Sequence, residues 1–245
     1  MSLLTLLDKV AGSLGPLDPA TLSPDEHYKE DGWSAGITWS SAGVQKWNFD
    51  AGTSPTPGTQ NGLTYYQSVG SANIISNTTP KSLTFAVTDT GITLYLVVRP
   101  DSGLRNRTVF YLTGNNGNRL WRVKIDSVGQ FYTQARDGGA QNLIINPSGA
   151  IDNSTFQVWV LRIKNVTGDG ALDVWLNLVK NSVINASWTA TLIDAFWSGN
   201  TIWNNDGGAE AWRGAFAEMI FFKALHTDIT IERVIAFLKT KWAIT

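Results

Sequence analysis

The chain of 245 residues has no cysteine and only two histidines, His27 and His226. Without cysteine there are no disulfides, thiolate metal sites or cysteine nucleophiles, so stability must come from packing. Zinc takes three or four ligands, and two histidines alone are a poor start. Neither is flanked by a nucleophile motif such as Gly-x-Ser-x-Gly, which argues against a Ser-His-Asp triad. Charge is also sparse, at 16% of residues, with 19 basic and 20 acidic groups and a net charge of −1. No block of like charge occurs, which argues against a dedicated nucleic-acid surface. The densest basic cluster, Arg105, Arg107, Arg119 and Arg122, reads as a solvated strand face. No apolar run reaches the length of a membrane span. The opening MSLLTLLDKVAGSLG lacks a basic leader and is interrupted by Asp8 and Lys9, so no secretion signal is expected. Five Asn-x-Ser/Thr sequons, at Asn77, Asn106, Asn153, Asn165 and Asn185, carry little weight in a chain so rich in Asn and Thr.

What the chain does have is aromatic volume, with eleven Trp and ten Phe, and many Gly, Asn, Ser and Thr between apolar runs. That content favours one large β domain. Ile92, Leu94, Leu96 and Val98 alternate with Thr93, Tyr95 and Val97, predicting a central strand apolar on nearly both faces. Trp121, Val123 and Ile125 alternate with Arg122 and Lys124 and turn through Asp126–Gly129 into Phe131 and Tyr132, a hairpin. Residues 156–163 read as a long apolar strand. Leu172, Val174, Leu176 and Leu178 form a half-buried one, followed by a turn near Lys180 and Asn181. Many short strands with Gly/Asn turns imply a two-sheet sandwich.

Residues 1–30 differ. Leu3, Leu7, Val10 and Leu14 lie on one helical stripe that Gly15 and Pro16 end. The following PLDPATLSPDEHYKEDG, with three prolines and a charge cluster, reads as an extended arm or linker. One short helix is marginal alone and needs a surface to cover its stripe. The expected organisation is therefore an assembly or anchor arm over 1–30 and a β domain over 31–245.

At the other end, Ala215, Ala217, Met219 and Phe221 alternate with Phe216, Glu218, Ile220 and Phe222, and then the period changes. Ile231, Val234, Ile235 and Leu238, with Trp242 a turn on, predict a helix with Thr227 or Asp228 at its N-cap. Gly214, Ala217, Glu218, Leu225, Thr227, Leu238, Lys241 and Trp242 together resemble the C-terminal signature of concanavalin A-like lectin domains of the laminin-G type. The strand order over 33–245 is similar to theirs. The resemblance implies an all-β, two-sheet antiparallel jelly-roll sandwich with an N-terminal helical arm and a C-terminal helix.

The laminarinase-type hydrolases of this fold carry Glu-x-Asp-x-x-Glu on one strand, and that motif is absent. None of the five glutamates, Glu26, Glu30, Glu210, Glu218 and Glu232, has a carboxylate two residues away on a strand. Glu218 is expected to pair or accept structural hydrogen bonds, so no catalytic residues are assigned. The resemblance admits calcium as the only metal, with Asp169 and Asp206 as candidate ligands, and implies no other cofactor. A sugar platform needs exposed aromatics beside Asn or Asp, and FWSGNTIWNNDGGAEAW offers Trp197, Trp203, Asn204, Asn205 and Asp206. Inward-packed tryptophans and turn-forming asparagines are the competing reading.

From this layout and the resemblance we expect a non-enzymatic structural or surface protein of a tailed-bacteriophage virion. It would be a capsid decoration, head-fibre or tail-associated module, made in the host cytoplasm. Its partners would be other virion proteins and copies of itself, with Leu3, Leu7, Val10 and Leu14 in the assembly contact. Cell-surface glycans are further candidate partners; nucleic acid and membrane are not. The alternative is a carbohydrate-binding module for a host-receptor glycan. A glycoside hydrolase or lyase on the same fold is a distant third.

Overall fold

The computed structural model describes residues 14–34, 38–44, 48–51, 55–69, 75–76, 91–101, 107–113, 120–125, 131–137, 141–145, 151, 154–164, 166, 168–185, 187, 201–202 and 212–245. Its strands in chain order begin with β1 (Glu26–Tyr28), β2 (Trp33–Ser34), β3 (Thr38–Ser40), β4 (Asn48–Ala51), β5 (Thr56–Gln60) and β6 (Leu63–Val69). They continue with β7 (Ile75–Ser76), β8 (Gly91–Pro100), β9 (Arg107–Thr113), β10 (Leu120–Ile125), β11 (Phe131–Asp137) and β12 (Gln141–Ile145). The last are β13 (Gln157–Lys164), β14 (Gly170–Leu176), β15 (Val179–Asn185), β16 (Thr201–Ile202) and β17 (Arg213–Phe222), followed by helix α1 (Asp228–Trp242).

Two antiparallel sheets result, as expected of a sandwich. The first runs β15-β14-β13-β8-β17-β6-β5, and β1 adds to β17. The second runs β12-β11-β10-β9-β16-β7-β4-β3-β2. The hairpin read from Trp121 to Tyr132 is the β10–β11 pair, in register from Trp121↔Ala135 to Ile125↔Phe131; its turn lies outside the described residues.

Helix α1 covers one face of the first sheet. Its buried residues are Ile231, Val234, Ile235, Leu238 and Trp242, the stripe read from the sequence. They join Tyr95, Val97, Val158, Val160, Trp175, Ala215, Ala217, Ile220 and Phe222 in one core. Thr227 caps the helix by accepting from the Thr230 N–H at 3.1 Å. Ala243 ends it in the left-handed conformation, with the Ile244 N–H returning to the Lys239 carbonyl at 2.8 Å. Alternation sends Leu94, Leu96, Trp159, Leu161, Leu172 and Val174, all buried, to the opposite face. The central strands are therefore apolar on both faces, as read for β8.

Three local expectations are corrected. First, the alternation in β17 breaks. Phe216 pairs with Val98 and Glu218 with Val97, so Ala217 is an extra residue, a β-bulge. Ala215 and Ala217 face α1, but Met219 and Phe221 face away, and Ile220 and Phe222 take the helix side. Second, β14 is buried on both sides, including Trp175 and Asp173, because α1 roofs the face expected to be wet. Third, the turn after β14 is at Asn177 and Leu178, where Asn177 takes φ 54°. Its side-chain oxygen accepts from the Val158 N–H at 3.0 Å, and Lys180 and Asn181 lie within β15.

The linker reading of residues 15–30 is also corrected. Strand β6 pairs with only the first half of β17, Arg213 to Phe216. Strand β1 takes the second half, with Glu26↔Phe221, His27↔Ile220 and Tyr28↔Met219. Asp25 accepts from the Lys223 N–H at 2.7 Å, and the Leu17 N–H donates to the Arg233 carbonyl at 3.1 Å. Residues 41–44 clamp β1 from outside. The His27 N–H donates to Ser41 Oγ at 2.8 Å and the Ala42 N–H to the His27 carbonyl at 2.7 Å. Gly43 lies so close that a Cβ there would stand 2.5 Å from the Glu26 Cα. The stretch reads as a linker because β1 is only three residues long and all three are buried, so it shows no alternation. Of the assembly stripe, Leu14 is exposed at 43%; Leu3, Leu7 and Val10 lie outside the described residues.

Candidate functional site

The bulge in β17 has a chemical consequence: it turns the Glu218 side chain toward α1. Its carboxylate, 1% exposed, accepts from His27 Nε2 at 2.6 Å, Lys241 Nζ at 2.9 Å and Trp242 Nε1 at 2.8 Å. Lys241 also donates to Glu30 at 2.9 Å. Burial pushes the Glu218 carboxyl up, but the His27 hydrogen bond and the Lys241 charge, with the Trp242 hydrogen bond, more than offset it. The carboxyl therefore lies below its ordinary range. For Lys241 burial pulls down, and Glu218 and Glu30 raise it above the usual value. This cluster joins β1, β17 and the last turn of α1. Its acceptor capacity is taken up by the chain itself, which is the structural role read for Glu218.

A second polar cluster sits at the other end of α1. Arg162 donates through Nε and Nη2 to Asp173 at 2.9 and 2.6 Å, and through Nη1 to the His226 carbonyl at 2.7 Å. Asp228, in the first helical turn, pairs with Arg162 at 2.7 Å and with Lys180 at 2.8 Å. Both cations lie over the Trp175 ring, at 5.0 and 5.1 Å. Tyr95 Oη and His226 Nδ1 share a hydrogen bond at 2.7 Å. Burial, with the Arg162 charge, pulls His226 down to about 4. Burial also raises the Tyr95 phenol well above its usual value. This cluster is closed on itself, like the first.

The third arrangement is open. A cleft lined by Gln60, Arg99, Ser154, Thr155, Phe156 and residues 243–245 encloses about 340 Å³, its open mouth included. Arg99 ends the apolar run of β8. Its guanidinium lies 5.1 Å from the Tyr65 ring centre and 5.1 Å from that of Phe156. The two rings meet edge to face at 5.0 Å. Nη2 donates to Tyr65 Oη and Gln67 Oε1 over long distances, 3.3 and 3.4 Å. The Tyr65 ring needs Gly58, its cross-strand partner, since a Cβ there would stand 2.4 Å from the ring. Gln60 also donates to the Trp242 carbonyl at 3.1 Å, fixing the end of α1 against the cleft.

The sequence did not single out this cleft. Its one linear signal is a charged residue closing a strand otherwise apolar on both faces. The convergence of Tyr65, Arg99 and Phe156 belongs to three separate strands and loops. The sugar-platform residues Trp197, Trp203, Asn204, Asn205 and Asp206 lie outside the described residues. Asp169, the other calcium candidate, is exposed in the β13–β14 turn and forms an ion pair with Lys164. Among the described residues no group of three or more acidic or histidine side chains stands together as a metal site.

No family model and no curated protein sequence matches the chain. Solved structures do. The binding domain of botulinum neurotoxin DC, determined in complex with rat synaptotagmin II, superposes with a TM-score of 0.67 at 11% identity, covering 88% of this chain and 52% of that one. The binding domain of Paraclostridial Mosquitocidal Protein 1 gives 0.62 at 12% identity, covering 86% and 52%. This chain thus spans about half the length of those binding domains. Domain 4 of AbnA, a GH43 extracellular arabinanase from Geobacillus stearothermophilus in complex with arabinotriose, gives 0.65 at 13% identity, covering 87% of this chain and 98% of that one. At such identities the likeness establishes the fold, a β-sandwich shared with receptor- and carbohydrate-binding domains.

Proposed function

We propose that this chain is a non-catalytic binding module for carbohydrate, with the Arg99 cleft as its ligand seat. The observation that carries the proposal is the composition of that cleft. Arg99, Gln60, Ser154 and Thr155 line it beside Phe156, whose ring is buried and carries the guanidinium over its face. A few placed polar groups in a concave, partly apolar cleft are what orient a small polar ligand. The arabinanase domain, seen with arabinotriose, supports the reading because this chain matches nearly its whole length. The saturation of Glu218 supports a non-catalytic role. A general acid must present a proton to substrate, and this carboxylate is buried and held by His27, Lys241 and Trp242. Display on a tailed-phage particle, expected from the sequence resemblance, would decide where such a module sits and leave its chemistry unchanged.

The test is titration calorimetry against a panel of oligosaccharides, with reducing-end assays run in parallel. Saturable binding that Arg99→Ala weakens, without release of sugar, is the expected result. Polysaccharide turnover that disappears in Glu218→Gln, with the fold intact, would overturn the non-catalytic reading.

A further inference from the structure

Resting on the carbohydrate reading, we infer that the ligand is an acidic saccharide, and that Arg99 receives a sugar carboxylate. The guanidinium carries five N–H donors. Nη2 alone is engaged, by Tyr65 and Gln67. The groups on Nε and Nη1 meet no acceptor among the described residues. Arg99 also forms no ion pair there. The nearest carboxylate along its strand, Asp101, is separated from it by the Gln67 amide. That amide accepts from Arg99 through Oε1 and donates to Asp101 through Nε2 at 3.2 Å. Two other cations near α1 are paired: Arg162 with Asp173 and Asp228, and Lys241 with Glu218 and Glu30. Arg99 keeps its charge in a partly enclosed cleft, aligned by two aromatic rings. A cation held this way, with donors to spare, suits a carboxylate.

The competing explanation is that Arg99 complements the negative end of α1. The side chains of Gln60 and Asn61 already bond the Trp242 and Lys241 carbonyls at that end.

The experiment uses a matched pair: an oligogalacturonide, and the same oligosaccharide with its carboxylates reduced to primary alcohols. Calorimetry should show the acidic form binding about tenfold tighter or more, the effect of one charge-assisted hydrogen bond. The preference should shrink with added salt. Arg99→Gln should abolish it while leaving the melting temperature within a few degrees, and Arg99→Lys should keep part of it. Equal affinity for the two forms in the full chain overturns the inference and leaves the carbohydrate reading standing. A sulfate ester of the neutral oligosaccharide that outcompetes the uronide overturns the carboxylate assignment. An Arg99→Gln protein that melts much earlier but keeps the preference assigns Arg99 to the helix end. Failure of every saccharide to bind overturns both readings.

Discussion

Replacing Glu218 should reveal how much of the fold hangs on one carboxylate. Three donors from two elements converge on it: His27 Nε2 from β1, and Lys241 Nζ and Trp242 Nε1 from α1. Glu218→Met removes the acceptor and leaves the buried His27 and Trp242 N–H groups without their partner. Breaking a buried pair from one side costs about 3–5 kcal/mol. Lys241 keeps Glu30, so the loss should fall at the lower end, near 3 kcal/mol. Glu218→Gln keeps one carbonyl oxygen and the shape, and should cost about 2 kcal/mol. For a chain of this length that corresponds to a fall in Tm of roughly 4–8 °C. Urea unfolding followed by tryptophan fluorescence reads both numbers, and pH adds a second handle. The folded Glu218 carboxyl lies below its ordinary value of 4.5, so the native state binds fewer protons than the unfolded one. The stabilisation is complete above about pH 5 and is lost as pH falls through the folded value. The gap between the parent protein and Glu218→Gln should be flat at neutral pH and close in acid. A Gln variant as stable as the parent at pH 7, or a gap that widens in acid, would refute the ionised hub.

Other perturbations follow from the same structure. His226 is held near 4 by burial and the Arg162 charge, below its ordinary 6.5, so its contribution is intact above about pH 6.5 and lost as pH falls toward 4. Loss in this window should persist in Glu218→Gln and disappear in His226→Gln, read by pH-dependent melting. Phe221→Ala should cost about 3–5 kcal/mol, since Phe221 is buried on the face of the first sheet opposite α1; an unchanged Tm would show that face to be wrong. Deleting residues 1–30 should destabilise the domain, because it removes β1 and the His27 donor, whereas deleting 1–13 leaves both in place. Comparing native mass after the shorter deletion then tests the expected assembly role of Leu3, Leu7, Val10 and Leu14. Gly58→Val should push the Tyr65 ring from beneath Arg99 and weaken sugar binding more than it lowers Tm.

The sequence alone determined the elements whose signals are local. The stripe from Ile231 to Trp242 and its Thr227 cap were legible because a helix closes its hydrogen bonds within four residues. The burial of β8 on both faces was legible because apolar residues occupy both parities of the strand. Tertiary structure decided what depends on distant partners. The bulge at Ala217 leaves no mark in its own residues, since apolar groups stand at both parities on either side of it. It is visible only once β8 supplies the register. Strand β1 has no alternation to read, and its pairing with β17 puts His27 against Glu218 across 191 positions. The Arg99 cleft likewise exists only where β5, β8, the approach to β13 and the end of α1 meet. Periodicity reports which residues are buried; only packing decides which buried or half-buried polar groups face each other, and so which are satisfied within the chain and which are left open.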